Sequence, residues 1–134
     1  MRRSLLPENP PEDAAQRLDA VVAEFTRLIL ETEMQQRTML RLSLEPNAPE
    51  DAPLPLRQGR GVPWITEALA PLRGRLTDVE LRRLVLAIRS ATGIEALVWL
   101  TDIGGLSSEE AVTSMRWSAR ALLRQALESG PPPS

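Results

Sequence analysis

Apolar residues recur at helical spacing along most of the chain, and proline- or glycine-rich breaks divide that pattern into helical stretches. The first runs from Asn9 to about Leu44. Leu18, Val21, Val22, Phe25, Leu28 and Ile29 line one face, and Met39 and Leu40 return to it. Asn9 is placed to cap this helix, Pro10 suits its first position, and Glu12 stands three residues after the cap. Pro46 stops it.

The stretch "EPNAPEDAPLP" has no periodicity and several prolines, which predicts a surface loop over 45–55. A shorter helix follows within 57–72. Pro63 requires that it start near Val62 or bend there, and Gly74 closes it. The third helix opens on Thr77 with Glu80 in a capping-box pattern and ends at Gly104-Gly105. Ser107 and Glu110 repeat the pattern and open the fourth, which runs to about Ser129. These readings predict an all-α fold of four main helices. One domain is expected over 9–128, with a disordered stub over 1–8 and a disordered tail over 129–134.

The short third turn makes the last two helices an antiparallel hairpin. The fourth helix places Val112, Met115, Ala119, Leu122, Leu123 and Ala126 on one stripe. The third begins with a stripe of Leu81, Leu84, Val85, Ile88 and Ala91. Its second half is different: Ile94, Leu97, Val98, Trp99, Leu100 and Ile103 point all round the axis. A helix apolar all round is buried all round. A second copy of the chain would bury it, with two hairpins forming an intermolecular four-helix bundle. The expected homodimer interface is Val98, Trp99, Val112, Met115, Ala119, Leu122, Leu123 and Ala126.

The chain has 134 residues with no cysteine and no histidine. Disulfides, thiolate metal sites and the commonest general base are therefore excluded. Asp102, Glu109 and Glu110 read as helix-end charges rather than a di-carboxylate centre, so no catalytic residue, metal or cofactor is assigned, and no enzyme is expected. The formal net charge of −2 offers no basic footprint for nucleic acid. No apolar run reads as a signal core or a membrane span, so the expected location is cytoplasmic.

With those helices in place, "GIEALVWLTDIGGLSSEEAVTSMRWSARALLRQAL" resembles the end of tetracycline-repressor (TetR) family transcriptional regulators of the actinobacterial type. "RTMLRLSLEP", "LPLRQGR" and "ALAPLRGRL" resemble segments of the same subgroup. The resemblance spans nearly the whole chain. It implies an all-helical effector-binding and dimerisation domain whose last two helices pair with those of a partner. It also implies an N-terminal helix-turn-helix; residues 1–8 are too short to be expected to form one, whether through truncation or a mis-assigned start, so direct DNA binding by these residues is not expected. The function expected is a small-molecule-sensing, dimerising domain of a repressor without its DNA-binding part. The alternative is a headless subunit that pairs with a full-length regulator and weakens its DNA binding.

Candidate site residues follow from polar groups on apolar faces. Thr32 and Gln36 interrupt the first helix's stripe between Ile29 and Met39. With Met39, Trp64 and Thr92 they are the expected lining for a small apolar effector. Glu95 falls on the stripe of Ile88, Thr92 and Trp99. Counting across the hairpin from Gly105 sets it opposite Met115 or Arg116, which predicts a Glu95–Arg116 ion pair that fixes register.

Overall fold

The computed structural model describes residues 4–45 and 61–133, and these are all-helical with no strand among them. Most of the loop expected over 45–55 lies outside the described residues.

The first helical stretch is two helices, α1 (Ala14–Glu31) and α2 (Glu33–Ser43). Helix α1 starts four residues later than Asn9 suggested. Asp13 is its cap, accepting from the Gln16 N–H at 3.0 Å. Pro11 explains the shift, because the residue before a proline is disfavoured in the helical region. Thr32 breaks the two helices apart at φ −115° and ψ 24°. Its hydroxyl donates back to the Leu28 carbonyl at 2.8 Å, a bond that competes with the regular ladder and bends helices.

Helix α3 (Val62–Ala68) begins at Val62 with Pro63 in its first turn, and a 3₁₀ turn (Ala70–Leu72) follows it. The Arg17 guanidinium closes the end of α3 by donating to the Glu67 and Ala68 carbonyls at 2.7 and 2.9 Å.

The expected third helix is also interrupted. Helix α4 (Asp78–Ser90) ends at Ala91, and α5 (Ile94–Val98) starts after Gly93 and runs into a π turn (Trp99–Ile103). Helix α6 (Ser108–Ser129) completes the fold. The capping boxes at Thr77/Glu80 and Ser107/Glu110 are both present with both reciprocal hydrogen bonds.

Helix α1 packs along α6, α3 lies against α1 and α4, α2 rests on α5, and α6 also meets α4 and α5. The core joins Leu18, Val21, Val22, Phe25 and Ile29 from α1 to Ile65 and Leu69, to Leu84 and Ile88, and to Met115 and Leu123. The chain ends are not loose over their described parts. Leu5 is buried in the core, the Ser4 hydroxyl donates to Glu67, and the Pro132 carbonyl accepts from Arg83 Nε at 2.7 Å. Leu6 packs against the core beside Leu5.

Contrary to the expectation of no membrane span, the segment Asp78–Ile103 is long and apolar enough by length and composition to cross a membrane. The break at Gly93 divides it, and Leu81, Leu84, Val85, Ile88, Ile94 and Leu97 face the core.

Candidate functional site

The five expected effector-lining residues lie in different surroundings. Trp64 is sealed in the core, edge-to-face with Phe25 at 5.8 Å between ring centroids. Thr92 is fully buried, and its hydroxyl donates to the Ile88 carbonyl at 2.9 Å. Thr32 spends its proton on Leu28. It lines a surface cleft of about 540 Å³ with Leu30, Met34 and Gln35, apart from the other four. Gln36 is 7% exposed and Met39 half-buried on α2. Among the described residues every fully buried side-chain nitrogen or oxygen has a hydrogen-bond partner. The helix breaks at Thr32 and Thr92 account for the difference. Each threonine hydroxyl bonds back to the carbonyl four residues before it.

The expected ion pair is replaced by two others. Glu95 is exposed, not buried, and its partner is Arg89, at 3.3 Å. Arg116 instead grips Asp19 on α1, with Nε–Oδ1 at 3.1 Å and Nη2–Oδ2 at 2.8 Å. That bidentate pair holds the Asp19 carboxyl below the usual carboxylate range and raises Arg116. The break at Ala91–Gly93 rotates Glu95 away from α6, which straight counting across the hairpin could not anticipate.

Arg89 is the residue that the apolar pattern concealed. It is 8% exposed, and its guanidinium lies 5.5 Å from the Phe25 ring centroid. A Cβ on Gly93 would come within 1.8 Å of Arg89 Nη1, and one on Gly61 within 2.8 Å of the Phe25 ring. Two glycines thus make room for a buried arginine and its aromatic partner. The signal in the sequence is spacing: Leu81, Val85, Arg89 and Gly93 follow one another at every fourth position, which carries the arginine onto the buried face of α4. A second polar link ties α2 to the π turn. Arg37 donates to both Asp102 oxygens at 2.8 and 3.1 Å and to Glu33 at 2.8 Å, which raises Arg37 and lowers Asp102.

The expected dimer face divides in two. Met115, Ala119, Leu123 and Ala126 are buried inside this chain, with α1 the neighbour that α6 contacts most, so they are not available to a partner. Val98, Val112 and Leu122 are half-buried and packed against the core. Trp99 stands out at 58% exposed. Ile103 is 70% and Trp117 is 63% exposed; Trp117 was not expected at the interface. Helix α6 does carry a heptad-like stripe, but α1 occupies it.

Trp117 lies on the face of α6 opposite that stripe, with Thr113, Ala121 and Arg124. Clefts of about 520 and 350 Å³ flank it. The first is lined by Leu106, Glu110, Thr113 and Ser114, the second by Arg120, Ala121, Arg124 and Glu128. No cluster of carboxylates able to hold a metal ion occurs among the described residues.

No family model, curated protein or solved structure matches the chain.

Proposed function

We propose that the chain is the effector-sensing and dimerising part of a TetR-like transcriptional regulator, acting in the cytoplasm as a homodimer. The observation that carries this reading is the outer face of α6, where a tryptophan 63% exposed is set among small and oppositely charged residues. Large exposed apolar side chains on an ordered helix mark contact surfaces. The resemblance of residues 93–127 to the paired helices of that family supports the same face.

The face is self-complementary. In a two-fold contact each patch must match itself. If two copies of α6 cross antiparallel at Trp117, residues equally far before and after it face each other. Thr113 then meets the partner's Ala121, two small side chains that let the helices approach. Glu110 meets the partner's Arg124, a pair of opposite charge formed twice. Trp99 and Ile103 extend the apolar surface from the hairpin's other arm. A small apolar effector would act by favouring one arrangement of the helices over another.

Sedimentation across a range of concentrations tests this. The chain should be dimeric at micromolar concentration and Trp117→Ser monomeric, with unchanged helix content. Because the chain has no cysteine, Thr113→Cys/Ala121→Cys should oxidise to a covalent dimer. A chain monomeric alone that pairs with a full-length relative would instead indicate the headless subunit. A dimer indifferent to Trp117→Ser would reject the α6 face.

A further inference from the structure

Between α3 and the start of α4 lies a cleft of about 220 Å³, lined by Thr66, Arg73, Asp78, Leu81, Arg82 and Val85. Its chemistry differs from the rest of the surface. Leu81 and Val85 are buried and form an apolar floor. The Thr66 hydroxyl donates to the Val62 carbonyl at 2.8 Å, so its proton is spoken for. Arg73 and Arg82 are exposed at the rim.

Most arginines of α1, α2 and α6 are committed: Arg17 to carbonyls, Arg27, Arg37 and Arg116 to carboxylates. Among the described residues, Arg73 and Arg82 are in no ion pair, with Asp78 or with any other acid. Glu80 is not among the residues lining the cleft; its carboxylate turns to the helix start and accepts from the Thr77 N–H at 2.9 Å. Among the residues lining the cleft, two guanidinium groups stand against one carboxylate, a balance of one positive charge over an apolar floor.

We propose that this cleft binds a small monocarboxylate with an apolar body. The body rests on Leu81 and Val85, and the carboxylate is held by Arg73 and Arg82, whose planar forks suit that group. Asp78 limits the charge the site accepts to one and disfavours multivalent anions. The cleft's volume suits a ligand the size of benzoate. The proposal does not rest on the dimer reading, since the cleft is built from one copy and from other elements.

Benzoate, benzyl alcohol and sulfate are the probes, titrated into the ¹⁵N-labelled full chain and followed residue by residue. Benzoate should give saturating shifts at Thr66, Arg73, Leu81 and Arg82. Benzyl alcohol and sulfate should give none there. Arg73→Gln and Arg82→Gln should each weaken benzoate about tenfold, while Arg27→Gln on α1 leaves it unchanged. Equal shifts with sulfate would reduce the site to a simple anion contact and overturn the proposal. So would benzoate shifts confined to other residues, or affinity indifferent to both arginine variants. Folding of each variant is read from the same spectra, outside the cleft.

Discussion

Arg116 and Asp19 join α6 to α1 through two hydrogen bonds of 2.8 and 3.1 Å. Both side chains are partly exposed, so solvent screens the pair, and Arg116→Gln should cost about 0.5–1 kcal/mol at neutral pH. Asp19's carboxyl is lowered from 3.8 in the folded chain, so its contribution is present above that value and is lost as pH falls through the folded one. The gap between the native chain and Arg116→Gln in urea unfolding should therefore be full at pH 7 and close in acid. Glycine supplies a second residue-level test. Gly61 and Gly74 share a positive φ of about 100°, where an L side chain is strained. Space around Gly74 is open, whereas a Cβ on Gly61 meets Phe25. Both alanine variants should lose about 1 kcal/mol to strain, and Gly61→Ala should lose at least about 1 kcal/mol more from packing. Equal melting points for the two would show that the Phe25 ring yields freely.

Helix ends are where local sequence and observed structure agree most closely. Thr77 and Ser107 each accept from the third helical N–H, and the glutamates at those positions reach back. Those bonds hold the Glu80 and Glu110 carboxyls below their ordinary range. Thr77→Ala and Ser107→Ala should each destabilise the chain by about 1 kcal/mol in thermal unfolding. Helix interiors were less legible. Apolar spacing continues through Thr32 and through Thr92-Gly93, and nothing in a periodicity count marks a stop there. At both breaks a threonine hydroxyl bonds back to the carbonyl four residues before it, and beside the second the buried Arg89 fills the space that Gly93 leaves.

Across the whole molecule, the decisive event is that α1 takes the apolar stripe of α6. The stripe was visible in the sequence; its occupant was not. Met115 and Leu123 therefore stabilise the single chain, and Met115→Ala or Leu123→Ala should cost about 2–5 kcal/mol of its stability. Trp117 belongs to the other face. Trp117→Ser should leave the melting of the monomer within about 0.5 kcal/mol while abolishing the concentration dependence of sedimentation.

The sequence by itself determined the all-helical class, the two capping boxes, a start or bend at Pro63 and most of the residues facing inward. These depend on spacing, caps and prolines, which act within a few residues. Only the tertiary structure decided which apolar faces meet, where the long first and third helices break, and that Arg116 pairs with Asp19 while Glu95 turns to Arg89. It also sealed Trp64 and Thr92 in the core, and it gathered Arg73 and Arg82 over Leu81 and Val85. Contacts between elements far apart in the chain carry no local signature, because any apolar stripe can pack against any other of matching shape.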